Sequence, residues 1–307
     1  MNNSKISKLD KKMDKIKEKE EKGLLKEKKV NRTLRKFFNN KLAVIGLFIL
    51  LTITFASIFA PIICRYSPGK INLTEALEPP SRDHIFGTDK LGRDVFSRVL
   101  YGGRISILVG FGSGIGSALI GVSIGSYAGY KGGLLDKIFL RISEVLIAFP
   151  QIVLVLLLVT ILGQSLWNLL FIFILTGWAS MYRMARARML SLREEEYIQA
   201  LKAFGVSDFV ICYKHMLPNA IGPVVINITL STAMFILEET SLSFLGLGVP
   251  LNLPTWGNIL YAAQNLSILR NNWWIWLPPG IMISLFVLGL NFVGDGLRDS
   301  FDPSYQG

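Results

Sequence analysis

Apolar runs of helix length recur along this chain at residues 42–63, 103–128, 138–162, 167–185, 219–240 and 277–294. Each is long enough to cross about 30 Å of hydrocarbon at roughly 1.5 Å rise per residue. Inside lipid, a segment must satisfy its own backbone N–H and C=O groups, which leaves helices and closed barrels as spanning structures. Barrel strands need only about ten residues, so runs of this length predict helices. The expected fold class is all-α, a polytopic membrane protein with about six transmembrane helices. Hydrophobic residues make up 51% of the chain, in line with that reading.

Charge fixes the expected orientation. Residues 1–41 hold 15 Lys/Arg against 6 Asp/Glu, so +9 of the chain's net +11 sits in that stretch. The basic character belongs to a tail, which argues against a nucleic-acid-binding face. Low in aromatics and dense in mixed charge, the tail reads as a solvated cytoplasmic arm. Arg32, Arg35, Lys36 and Lys41 crowd the start of the first helix, and Arg183, Arg186, Arg188, Arg193, Lys202 and Lys214 fall between helices four and five. The positive-inside rule places both groups, and with an even helix count both termini, in the cytoplasm. The long basic stretch 64–101 then lies outside, and Trp273, Trp274 and Trp276 form an outer aromatic belt. The first apolar run reads as a retained helix rather than a cleaved signal, because Pro61 follows Ala60 where cleavage would fall.

Several chemistries are excluded. Cys64 and Cys212 fall on opposite sides of the predicted membrane, as do His84 and His215, so neither a disulfide nor a paired metal site is expected within the chain. There is no G-x-x-x-x-G-K-[ST] and no H-E-x-x-H, and "VGDG" at 293–296 reads as a helix C-terminus. No catalytic or metal-ligating residues are assigned. In helix two, Gly112 and Gly116, then Gly121, Gly125 and Gly129, recur every four residues, the spacing that lets another helix approach closely.

The segment "ALKAFGVSDFVICYKHMLPN" (200–219) leaves the apolar pattern between helices four and five. Ser191 and Glu194 have capping-box spacing. Tyr197, Ala200, Leu201 and Phe204 share one helix face. Gly205 ends that helix as a residue free to take positive φ. Ser207 and Asp208 start a second helix whose apolar face is Phe209, Cys212, Tyr213 and Met216. Pro218 falls at the start of helix five, where a missing N–H is tolerated. The prediction is a rigid helix–Gly–helix knob, which packs on its own chain or docks in a partner's cleft. Elsewhere, Asp94 and Arg98 are spaced as an i,i+4 ion pair.

This segment resembles the EAA loop of ABC-importer permeases, the element that sits in a groove of the ATPase subunit. Gln199, Ala200 and Leu201, then Gly205, then Leu217 and Pro218 match that pattern, with Gln199 and Leu201 departing from its glutamate and second alanine. "NKLAVIGLFIL" (40–50), "HIFGTDKLGRDVFSRVLYGGRISILVG" (84–110), "SLSFLGLGVP" with "PTWGNIL" (241–260) and "GDGLRDSFDP" (294–303) resemble the second permease of dipeptide/oligopeptide importers. The resemblance implies an ABC type I importer permease fold in a prokaryotic plasma membrane, in contact with membrane lipid. It implies four partners, namely a homologous second permease, two ATP-binding subunits and an extracytoplasmic peptide-binding protein. ATP and Mg belong to the partners, and this chain binds no cofactor and is no enzyme. The implied coupling residues are Gln199, Ala200, Leu201, Lys202, Gly205, Ser207, Asp208, Leu217 and Pro218. Glu239 matches the family string as a pathway or structural charge, with pairing to an arginine one expectation; Glu238 does not match.

The chain divides on this reading into a charged tail (1–35), a first helix with outer loop (36–102) and a permease core (103–303) with coupling loop 186–218. A nickel or metal-chelate permease is the near alternative. A self-contained channel or secondary transporter would show inverted repeats with broken helices, and a membrane protease would need a catalytic pair.

Overall fold

The computed structural model describes residues 33–301. Predictions for the lysine-rich tail before Thr33, and for the last six residues, fall outside that range. Helices dominate, and among the described residues there is no strand, only an isolated bridge between Thr88 and Asp94. The principal helices are α1 (Lys41–Ile58), α2 (Val95–Lys131), α3 (Gly133–Ala148), α4 (Gln151–Leu162), α5 (Leu166–Arg193), α6 (Glu196–Ala203), α7 (Leu217–Phe244), α8 (Trp256–Leu260), α9 (Leu266–Asn271) and α10 (Trp273–Phe301).

Four helices are long and apolar enough to span: α1, α2, α10, and α7 together with the turn before it. A fifth span arises if α3 and α4 count as one pass bent by 92°. The sixth long pass, α5, has 28 residues but carries Asn168, Arg183 and further arginines that dilute its apolar character. About six passes is therefore consistent with the structure. The third was expected to be continuous over 138–162. It breaks because Pro150 cannot extend α3 and pushes Phe149 out of the helical region, to φ −91° and ψ 141°.

The glycines of α2 seat it against its neighbours. A Cβ on Gly125 would lie 2.5 Å from the Tyr182 carbonyl oxygen, and one on Gly129 would lie 2.9 Å from the backbone of Arg186. The expected close approach is thus made to α5, while Gly110 and Gly114 of the same helix meet Ile236 and Thr232 of α7. Arg186 and Asp136 add a polar clasp across α5 and α3, with Nε–Oδ1 at 2.5 Å and Nη2–Oδ2 at 2.7 Å. Tyr182 Oη donates to the same carboxylate at 3.1 Å.

The first and last spans meet. A Cβ on Gly46 would strike Phe292 and the Gly289 carbonyl, and one on Gly296 would strike Ala43. Asn40 caps α1 and donates to Asp299 Oδ2 at 3.2 Å. "VGDG" is therefore not a helix end; α10 runs through it to Phe301, with Gly296 seated against Ala43 of α1.

Residues 64–94 and 246–272 form a platform at the end where α2 begins. Asp94 does not pair with Arg98. It caps α2, accepting from Ser97 N at 2.7 Å and Ser97 Oγ at 2.6 Å, and its other oxygen meets His84 Nδ1 at 2.9 Å. N-cap geometry takes the carboxylate before an i,i+4 partner can. Arg98 turns inward instead, 3.7 Å from Asp89 and bonded to the Pro68 carbonyl. The predicted aromatic belt is only partial. Trp273 is exposed, but Trp274 is buried and donates to the Thr88 carbonyl at 3.2 Å, fastening α10 to the platform.

Candidate functional site

The loop after α5 stands at the opposite end from the platform, packed on the C-terminal part of α2 and the end of α5. Helix α5 continues through Ser191 to Arg193, so the expected capping box does not form; Glu195 precedes α6 and makes no side-chain cap bond. Gln199 instead donates to the Arg193 carbonyl at 2.9 Å, closing the corner between α5 and α6.

Helix α6 is anchored by a different side from the one its pattern suggested. Ile198 is the fully buried residue, with Leu201 half-buried beside it. Both pack with Tyr130, Met189, Leu192, Ile211, Cys212 and Met216. Tyr197, Ala200 and Phe204 of the predicted apolar face are exposed, Phe204 by 84%. Gly205 ends the helix at φ +75° with open space around it, the positive φ that its position required. Ser207 and Lys202 are exposed.

The second half starts at Asp208 and passes through a π-helical turn, Ile211–Met216, into α7. Asp208 to Phe244 forms one 37-residue helix. Phe209 points out and is 65% exposed. Cys212 is buried among apolar side chains, as a small hydrophobe would be. Asp208 is held: Tyr130 Oη donates at 3.0 Å and Lys131 Nζ at 3.1 Å. Tyr213 Oη bonds the Ser123 carbonyl at 2.9 Å, a second tie to α2. Leu217 is half-buried at the start of α7, with Pro218 exposed in its first turn. Asn219 reaches back to Tyr197 Oη at 3.2 Å.

A rigid knob results. Buried aliphatic residues and three polar ties fix it to α2 and α5, while Ala200, Phe204, Gly205 and Phe209 face outward. Sequence reasoning missed Ile198 and Ile211 as the anchors. The apolar pattern of α6 was the signal, but periodicity does not say which of two adjacent faces looks inward.

The family of binding-protein-dependent transport system inner membrane components matches residues 121–307, and the N-terminal TM domain of oligopeptide transport permease C matches residues 30–80. The chain belongs to this transport permease family. That places it among inner-membrane permeases, which are not enzymes. Two proteins of Bacillus subtilis are close in sequence. One is the oligopeptide transport system permease protein OppC, 41% identical over 271 residues, 88% of each chain. The other is the dipeptide transport system permease protein DppC, 42% identical over 273 residues, 89% of this chain and 85% of the relative. The dipeptide permease of Alkalihalophilus pseudofirmus is 41% identical over 267 residues, 87% of both.

Two further charges complete the inventory for a permease. Among the described residues Glu239 pairs with no arginine, and it is closed off from the surface. It is fully buried, accepting from Ser243 Oγ at 2.7 Å and Ser106 Oγ at 3.3 Å, and Ser106 Oγ in turn accepts from Trp256 N at 3.2 Å. It therefore joins α7, α2 and α8. Glu238, the neighbour without a family match, is half-buried and accepts from Gln151 Nε2 at 3.0 Å. Among the described residues no group of three His, Cys, Asp or Glu could hold a metal ion.

Proposed function

We propose that the chain is one permease subunit of an ATP-driven importer of dipeptides or oligopeptides, contributing half of the pathway. It would pair with a homologous permease, bind two ATP-hydrolysing subunits on the cytoplasmic side and receive peptide from an extracytoplasmic binding protein. ATP and Mg would be held by the ATPase subunits. The termini and the 194–216 loop face the cytoplasm in this reading, supported by the basic residues at that end.

The observation that carries the reading is the knob, fixed on one side and exposed on the other. Ala200, Leu201, Lys202, Gly205, Ser207 and the flanking Gln199, Leu217 and Pro218 form the coupling element, with Asp208 as its strut. Because Gly205 is surrounded by open space, a partner surface can approach its backbone. Since the knob continues into α7 without an interruption, displacement by an ATPase would move a pathway helix. A two-state bundle biased by ATP at one end and receptor at the other needs such a connection. The peptide assignment rests on the names of the relatives.

The test is peptide uptake into proteoliposomes holding the full complex, with Gly205→Arg beside Gly205→Ala. Alanine bears the backbone strain alone and arginine adds bulk. The expected result is abolished uptake in the arginine variant and reduced ATPase co-purification. Unchanged uptake and assembly in both variants defeats the coupling assignment. Uptake of a nickel chelate without peptide would move the substrate to the metal class.

A further inference from the structure

Glu238 is a carboxylate on an apolar span, with no counter-ion among the described residues. It lies about 31 Å along α7 at ~1.5 Å per residue, near the limit of a hydrocarbon core of about 30 Å. Its hydrogen bond comes from the neutral amide of Gln151 at 3.0 Å. Among the described residues no basic side chain reaches it, although Asp89, Asp94, Asp136, Asp208, Glu144 and Glu194 each have a basic partner. The contrast with Glu239 is sharp: one position on, the carboxylate is sealed and bonded to two hydroxyls.

The place is also unusual. Gln151 is the first residue of α4, immediately after the 92° break. Because α3 stops there, its last carbonyls lack the donors that a continuing helix would supply. Irregular backbone at membrane depth is tolerated where it lines a cavity or meets protein rather than lipid. Intramembrane acids likewise face a pathway or a partner. Phe149, two residues before Gln151, and Met234 and Leu237, near Glu238 on α7, are all exposed, which offers apolar contact beside one negative charge.

We propose that Glu238 is a cation subsite at the outer mouth of the pathway and receives the primary ammonium of an incoming peptide. The inference rests on the permease reading above. One carboxylate with an amide beside it suits an alkylammonium, whereas a divalent metal asks for several ligands that the described residues do not assemble. Gln151 holds one carboxylate oxygen and leaves the other for the substrate.

The test uses the full complex in proteoliposomes, with saturating binding protein and a free-amine dipeptide, so that receptor selectivity is the same in every arm. Glu238→Gln keeps an acceptor for Gln151 and removes the charge. Glu238→Asp keeps the charge. Gln151→Leu keeps the charge and removes the bond. A lost charge-assisted contact lowers initial uptake about tenfold in Glu238→Gln and more in Glu238→Lys, with Glu238→Asp and Gln151→Leu within about threefold of wild type. If Gln151→Leu falls and Glu238→Gln does not, the pair is structural and the proposal is overturned. Equal rates in all variants overturn it too, as does loss of the co-purifying second permease from Glu238→Gln, which would assign the charge to the subunit interface. Wild type that takes up no dipeptide overturns the substrate reading itself.

Discussion

Tyr130 Oη donates to Asp208 Oδ1 at 3.0 Å, joining the last turn of the glycine-rich helix to the first turn after Gly205. Lys131 grips the other oxygen. Asp208 is thereby placed as a strut inside the loop. Replacing it with alanine should cost about 1 kcal/mol of local stability and lower uptake several-fold, with the bundle intact. ATPase co-purification and uptake, measured together, check this; full uptake in Asp208→Ala would show that the strut is dispensable.

Ile198 within α6 and Phe204, which caps its C-terminus, have opposite exposures, 1% and 84%. Phe204→Asp should leave thermal stability unchanged and weaken ATPase binding. Ile198→Asp should destabilise the chain by more than about 3 kcal/mol, because it buries a charge among aliphatic groups. Melting curves in detergent, followed by pull-down of the ATPase subunits, distinguish the two. Equal behaviour of the pair would mean that the knob has no outward face.

Gly125→Ala should destabilise by about 1–3 kcal/mol, because the added carbon meets a backbone oxygen of α5 at 2.5 Å rather than a side chain able to move. Gly69→Ala, with nothing near its Cβ site, is the control. The melting temperature of the purified chain reads the difference.

Arg186 clasps Asp136 through two nitrogens, and both side chains are largely shielded from solvent. Arg186→Met strands the carboxylate and should cost about 3 kcal/mol. Adding Asp136→Asn should recover part of that loss. A double-mutant cycle on thermal stability measures the coupling, and additive effects would deny it.

His84 supplies a pH dependence. Burial lowers its pKa, but the hydrogen bond and charge of Asp94, with those of Glu75, outweigh it and hold the value above the ordinary one. The protonated ring therefore stabilises the platform. That contribution is complete below about pH 6.5 and disappears as pH rises through the folded-state pKa. The melting-temperature gap between wild type and His84→Gln should be wider at pH 5.5 than at pH 8.5. A gap that widens toward high pH would contradict the arrangement.

Much of the frame was legible. Apolar length locates the spans, the four-residue glycine spacing marks where α2 meets α5, and Gly205 marks the end of α6. The rest needed three dimensions. The third span was read through Pro150 because hydropathy does not register a missing N–H. The Asp94–Arg98 pairing was read from helical spacing, but the N-cap sits before the helix proper and competes for the same carboxylate. Glu239 matched the family string, yet its partners, Ser106 and Ser243, are ordinary hydroxyls with no signature of their own. Glu238 drew less attention because it departs from that string.

The contact of Gly46 with Phe292 and Gly289 has a consequence for biogenesis. Translation delivers α1 early, and the helix it embraces arrives last. Until then the glycine face of α1 has only lipid to lie against, which its nearly uniform apolar surface permits. The Asn40–Asp299 bond can form only after α10 has been made. Closure of the two ends is thus a late checkpoint on insertion, and a chain truncated before α10 would leave an orphaned first helix open to quality control.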